Sequence, residues 1–395
     1  KTQFVGLSGT MTKRSIKDYW HLALMALKDG APMPMKWFEV KTWAEALDDG
    51  IAEMDRPLVG ALRRFCDEPL EGLTRGEKRE KIRKGYRDRF TQTFGVVATS
   101  EKAIGTSLCI TRRQINPGEV ITGALTALRK SWCTPNGEEI TDAVDFWRKA
   151  RELAVGFYYR WDWGLPGKDI EWLEARGDWR RFVRTTTRRN PDYDTELLAT
   201  SACAAGALDS RGVFERWAAS KDRAAPKTVP VWVSEHVLND VTSLVANKRT
   251  SLCDDNHIIV WTEQAAVAQR LHDITRWPVF TGGVKANIDL VDHVNAKRGP
   301  CIASIHAHSV GVNLQNYHNN IVITPPSSAA TWEQLLGRTH RPGQLADEVS
   351  AIVYQHTPET QQALENAFDN ADYIEHSTGQ KQKLKYAAIV WNDCR

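Results

Sequence analysis

The sequence predicts an α/β fold, with a parallel-sheet lobe toward the C-terminal end and a mostly helical module before it. Three observations predict this. From residue 258 onward, apolar runs of strand length alternate with helix-length stretches, the pattern of a parallel sheet covered by helices. Between 29 and 230 the periodicity is instead mainly helical, charged in places and aromatic-rich from about 141 to 190, with a short β-like stretch at 95–99 and 107–110. Near the start, Ile16, Tyr19, Trp20, Ala23, Leu24 and Leu27 recur at spacings of three and four, one buried stripe of a helix over 15–27.

Taken in order, residues 3–7 read as the end of a buried strand that runs into the small-residue turn Ser8-Gly9-Thr10. A chain that opens in mid-strand is expected to be a piece of a longer one. The later strands are expected at 258–261, 279–280, 301–305, 320–324 and 350–354. Helices are expected at 263–275, 285–296, 330–336 and 359–375. The domains that follow are 1–28, the tail of a first lobe; 29–230, the helical insertion; and 231–395, a second lobe.

The 395 residues are 26% charged and 42% hydrophobic, the balance of a globular protein rather than a disordered or fibrous one. Lys plus Arg number 52 against 49 Asp plus Glu, so a net charge of +3 selects no partner and any polyanion must be met by a local patch. The 7 cysteines form no C-x-x-C pair, which argues against a disulfide framework or a zinc ribbon and favours a reducing compartment. No export signal and no span of about 20 apolar residues is written, so a cytoplasmic location without membrane contact is expected. Trp outnumbers Phe and Tyr, 15 against 11 and 9, and the dense run Phe157, Tyr158, Tyr159, Trp161 and Trp163 reads mainly as core.

The strongest chemical signal lies between Cys301 and Gln344. An apolar strand leads into Gly311-Val312-Asn313-Leu314-Gln315, and a second leads into a helix bearing the run from Trp332 to Gln344, WEQLLGRTHRPGQ. Ligands of parallel sheets bind outside the carboxyl ends of the strands, which is where both motifs are expected. Gln334, Arg338 and Arg341 recur at spacings of four and three, so one helical face presents an amide and two guanidinium groups. Gly337 beside them lets a backbone or phosphate approach. Guanidinium is permanently charged and its planar fork fits phosphate oxygens. A bare R-x-x-R would more simply be a solvated basic helix end.

The surrounding pattern is more specific. Gln334, Gly337, Arg338, His340, Arg341, Gly343 and Gln344 spell Q-x-x-G-R-x-H-R-x-G-Q, which resembles the sixth motif of superfamily 2 helicases and translocases, with an ending similar to the Snf-like branch and its phage relatives. Gly311, Asn313 and Leu314 resemble the fifth motif of that branch, and Leu7-Ser8-Gly9-Thr10 its third. His257 to Trp261 followed by Thr262-Glu263-Gln264 is similar to the fourth-motif strand and turn. The resemblance implies a RecA-like second lobe that closes on ATP and Mg²⁺ held mainly by an N-terminal RecA-like lobe, and a DNA partner. It implies Arg338 and Arg341 as catalytic arginines, with Gln334, Gly337, Gly311, Asn313 and Gln315 at the nucleotide. Ser8, Gly9 and Thr10 would couple the nucleotide to the nucleic-acid track, and Thr262 would touch nucleic acid.

The departures carry equal weight. No G-x-x-x-x-G-K-[ST] occurs, nor an acidic metal motif in the right place, since Asp67-Glu68 follows the third motif. The chain by itself is therefore expected not to hydrolyse ATP. His308-Ser309-Val310 stand where that branch usually has glycines before its fifth motif.

Two further stretches are basic. Residues 75–90 carry eight Lys or Arg, Lys78 and Arg79 among them, against three acids. Arg176, Arg180, Arg181, Arg184, Arg188 and Arg189 are interleaved with Trp172, Trp179 and Phe182. Each reads either as a nucleic-acid track, with guanidinium on phosphate and aromatic rings on bases, or as a solvated helix face with its aromatic residues turned to the core. His306 and His308 near Cys301 fall short of a zinc site, which needs three or four ligands at matched spacing. The expected activity is that of an ATP-dependent DNA helicase or translocase portion. The alternative is a stand-alone nucleic-acid or partner-binding module without turnover, because the phosphate loop is missing.

Overall fold

The computed structural model describes residues 4–6, 12, 15–48, 60–66, 69–97, 105–164, 167, 169–193, 195–221, 227–246, 257–308 and 311–393. Nine strands are present among them: β1 (Ser107–Gln114), β2 (Phe157–Asp162), β3 (Lys227–Trp232), β4 (Ile258–Thr262), β5 (Val279–Phe280), β6 (Cys301–Ser304), β7 (Asn319–Val322), β8 (Glu348–Tyr354) and β9 (Ala388–Asp393). Seven of them form one sheet in the order β5-β6-β4-β7-β8-β1-β9, and every pairing in it is parallel. Each face carries its own core. Trp261, Leu314, Trp332, Leu335 and Ile374 are buried on one side, and Val260, Leu271, Ile302, Ile321 and Tyr354 on the other. A sheet covered on both faces explains why β4 reads as an unbroken apolar run, all five residues buried.

The α/β class and the five C-terminal strands match expectation, but the sheet is wider than the sequence predicts. β1 comes from within residues 29–230 and lies between β8 and β9, paired over Ser107 to Arg113 with Glu348 to Tyr354. Its sequence ends Thr-Arg-Arg-Gln, too polar to be read as a central strand. The polarity is accommodated because Arg113 forks onto Asp240, Nε to Oδ2 at 2.5 Å and Nη2 to Oδ1 at 2.6 Å, while Tyr354 Oη donates to the same carboxylate at 2.6 Å.

The aromatic run is also corrected. Phe157–Asp162 is not helix but β2, antiparallel to β3. The switch occurs at Gly156, whose φ of +112° ends the Ala143–Val155 helix and whose position leaves no room for a side chain: a Cβ there would stand 2.1 Å from the Ser234 carbonyl oxygen.

The basic stretch forms the Arg75–Thr91 helix, capped by Thr74, which accepts from the Glu77 amide while Glu77 reaches back to the Thr74 amide at 2.8 Å. Its Ile82, Tyr86 and Phe90 enter a separate core with Tyr19, Val40 and Leu47. That core is tied to the Pro358–Thr378 helix by Tyr373, whose hydroxyl donates to Asp48 at 2.9 Å, and by the Arg83 guanidinium over the Tyr373 ring. Burial pushes the Asp48 carboxyl above its ordinary range.

One buried polar group fixes the end of the arginine-bearing helix. Asn320, fully enclosed on β7, accepts from Trp261 Nε1 at 3.0 Å and donates to Thr339 Oγ1 at 3.1 Å and the Ser350 carbonyl at 3.0 Å. Asn320→Ala is expected to leave the indole and the carbonyl unsatisfied and to cost about 2 kcal/mol. Denaturant unfolding checks this; an unmoved midpoint would show that these bonds contribute nothing net.

Candidate functional site

The Ala329–Thr339 helix follows β7, and the next strand is parallel, so the helix must run back across the sheet. Its last turn therefore reaches the amino rim, not the carboxyl rim where the sequence reading puts both motifs. The contacts fix the place. The Leu314 amide donates to the Arg338 carbonyl at 3.0 Å. His340 Nε2 lies 2.9 Å from the Thr106 carbonyl, just before β1, and Gln344 Nε2 donates to the Tyr317 carbonyl at 3.1 Å, just before β7.

Arg338 sits half-buried at the centre of this rim. Its Nη1 donates to the Val312 carbonyl at 2.9 Å and its Nε to the Gln334 carbonyl at 3.1 Å. Burial, and next the charge of Arg341, lower its proton affinity, so two guanidinium groups are held close enough to repel. A bound anion would relieve that repulsion. Gln334 is exposed one turn earlier, and Gly337 faces the Lys383 side chain, whose Cε a Cβ at Gly337 would approach to 3.8 Å.

The Gly311–Gln315 loop closes over the same place. Gly311 has φ +85°, Asn313 is exposed and accepts from the Gln315 amide at 3.3 Å, and Val312 and Leu314 are buried. Gln315 packs against Gly343, which has φ +90° and where a Cβ would lie 2.9 Å from Gln315 Nε2. Gly343→Ala is expected to destabilise the protein by about 1 kcal/mol and to displace Gln315. Unfolding curves, together with the amide resonance of Gln315, test both parts.

His340 and Gln344 build the rim rather than face a ligand. The His340 imidazole is buried and held below its ordinary proton affinity by burial. Gln344 also donates to the Thr339 carbonyl and accepts from the Ala346 amide, both at 3.0 Å, so its amide folds the loop onto the helix end.

The remaining residues singled out by sequence do not join this site. Ser8, Gly9 and Thr10 lie outside the described residues. Thr262 ends β4 at the opposite rim and is 1% exposed, so its side chain has no face for a nucleic acid. Beside it, Arg151 of the helical region pairs with Glu263 at 2.7 Å and donates to the Pro325 carbonyl at 3.0 Å, closing that rim; sequence gave no signal for this arginine.

Arg180 is a correction of the nucleic-acid reading: it is buried and its guanidinium is engaged by Glu138 at 2.5 Å and Asp145 at 3.0 Å. Arg184 pairs with Glu139 at 2.8 Å, and the exposed Arg181 pairs with Asp178. Arg176, Arg180 and Arg184 are thus matched by carboxylates that sit more than 30 residues away in sequence. Lys78 and Arg79 are half-buried on the Arg75–Thr91 helix.

No protein-family model matches the chain, and no curated protein matches it. Among solved structures, the C-terminal part of the Fun30 ATPase domain is similar at 10% identity over 66% of this chain and 89% of that one, with a TM-score of 0.36. A DEAD box protein from Methanococcus jannaschii is similar at 16% identity over 40% and 39% of the two chains, TM-score 0.28. Mycobacterium smegmatis Lhr, bound to single-stranded DNA and AMP-PNP, is similar at 15% identity over 36% and 24%, TM-score 0.26. The chain thus spans less than half of the second and third proteins, and no functional inference rests on likenesses of this size.

Proposed function

We propose that this chain provides the arginine-bearing half of an ATP site in a DNA helicase or translocase of superfamily 2, of the Snf-like branch. Its parallel lobe acts as the second RecA-like lobe. The phosphate loop and the acidic Mg²⁺ motif come from an N-terminal lobe, in cis or in trans. One observation carries the reading: Arg338 is held on the Gly311–Gln315 loop through the Val312 carbonyl, with the charge of Arg341 near enough to lower its proton affinity.

The donor set fits phosphate, since guanidinium forks match anionic oxygens. It offers nothing suited to Mg²⁺, which would be held by the other lobe. When bound, ATP supplies a γ-phosphoryl group on which charge builds during transfer. Arg338 and Arg341 neutralise that charge, with Gln334 beside them on the same helix. Because Arg338 holds the Val312 carbonyl, drawing its guanidinium to a phosphate moves the Gly311–Gln315 loop, which links the nucleotide to the nucleic-acid path. Lys78 and Arg79 on the Arg75–Thr91 helix, together with the exposed Arg181, would meet DNA phosphates.

The test is ATP turnover by the chain combined with a phosphate-loop lobe, with and without DNA, over a range of salt. Turnover that needs both lobes and rises with DNA supports the reading. The second reading, a binding module without turnover, is motivated by the missing phosphate loop. It predicts salt-sensitive DNA binding and no hydrolysis in any combination.

A further inference from the structure

Arg176 and Arg180 of the Ile170–Arg189 helix border a cavity of about 500 Å³ in the helical region. Four aromatic side chains, Tyr159, Trp161, Trp179 and Trp217, line it. Between them stand charges of both signs that already answer one another. Glu138 accepts from Arg176 and Arg180, both at 2.5 Å; Glu152 accepts from Lys149 at 3.2 Å; and Glu196 accepts from Trp179 Nε1 at 2.9 Å. The Arg176 guanidinium lies over the Trp161 ring, 4.0 Å from its centre. A volume of this size is that of a small-molecule site.

The charge balance selects the ligand class. A phosphate would meet five carboxylates, those of Glu138, Asp142, Asp145, Glu152 and Glu196, and a free cation would compete with four bases. An uncharged group that both donates and accepts hydrogen bonds meets neither penalty. The aromatic rings, and a guanidinium already stacked on one of them, further require that the group be flat. We propose that this cavity binds a nucleobase, its face against the aromatic and guanidinium planes and its edge against the carboxylates and guanidinium donors. Stacking of this kind tolerates any base and does not need phosphate. The proposal does not depend on the ATP-site reading, since it requires neither a second lobe nor turnover.

The experiment titrates the chain with guanosine, adenosine and cytidine by tryptophan fluorescence and calorimetry, at low and high salt, with glucose and inorganic phosphate as controls. The expected result is nucleoside binding whose affinity changes less than twofold between 50 and 500 mM salt, roughly the range over which phosphate contacts lose several powers of ten. Trp161→Ala should weaken binding at least tenfold and Trp161→Phe should restore most of it. Trp217→Ala, checked by circular dichroism for a native fold, should weaken it independently. Binding of glucose in place of nucleosides, binding of phosphate alone, or no binding by a folded chain would each overturn the proposal. So would nucleoside binding that both tryptophan variants leave intact.

Discussion

Replacing Arg338 by alanine is expected to lower DNA-stimulated ATP turnover of the complete two-lobed enzyme by roughly 10³-fold, the loss of about 4 kcal/mol of transition-state stabilisation. The loss should fall on kcat and leave KM nearly unchanged, because charge develops on the phosphoryl oxygens only as the bond breaks. Lysine should not substitute. Arg338 uses Nε and Nη1 on two different carbonyls, a fork that an ammonium on a flexible stem cannot reproduce. Arg341→Ala should also lower kcat, and it removes a repulsive neighbour of Arg338, so it should not destabilise the fold. Unfolding midpoints separate the two effects. Unchanged turnover in a folded Arg338→Ala enzyme would show that the rim is not a catalytic surface.

Much of the lobe was legible because burial on both faces forces continuous apolar runs, such as Ile258 to Trp261 of β4, Cys301 to Ala303 of β6, and Ile321 to Ile323 at the end of β7. β1 was legible only over its first half, the β-like stretch at 107–110, for the opposite reason, and β9 was not read at all. Arg112 and Arg113 are admitted into β1 by partners that lie far off in sequence: Asp240 for Arg113, and the Phe368 ring for Arg112. Local composition cannot announce such a partner. The site followed the same division. Spacing alone placed Gln334, Arg338 and Arg341 on one helix, but which rim they reach depends on the direction of the return crossing, a property of the whole sheet. The arginines of the Ile170–Arg189 helix show the limit of composition most directly. An arginine row reads as a phosphate track until Glu138, Glu139 and Asp145 are found opposite it.

Acid is expected to weaken the junction between the helical region and the sheet well before carboxylates are lost. His356, at the carboxyl end of β8, is buried; its Nε2 lies 2.7 Å from the Ala154 carbonyl, while its Nδ1 is buried without a partner. The ring of His236 stands 5.2 Å away, with its own buried Nε2 unpartnered and its Nδ1 3.0 Å from Ser234 Oγ. Burial drives the His356 pKa down to about 4, with the nearby His236 pushing the same way and Asp240, which is engaged by Arg113 and Tyr354, opposing. His236 is also lowered, by burial first. In the unfolded chain both imidazoles take a proton near pH 6.5. Between that pH and about 4 the unfolded state therefore binds more protons than the native one, and stability falls as pH falls; below about 4 the His356 contribution is flat. The His356 part of that loss is roughly 3 kcal/mol. His356→Gln keeps a side-chain donor for the Ala154 carbonyl and removes the proton site. Stability of this variant, followed by denaturant unfolding from pH 7 to pH 4, should fall less steeply than that of the native chain. Equal slopes would mean that the imidazole is solvated in the folded protein, contrary to its enclosure between the Ala143–Val155 and His236–Ala246 helices.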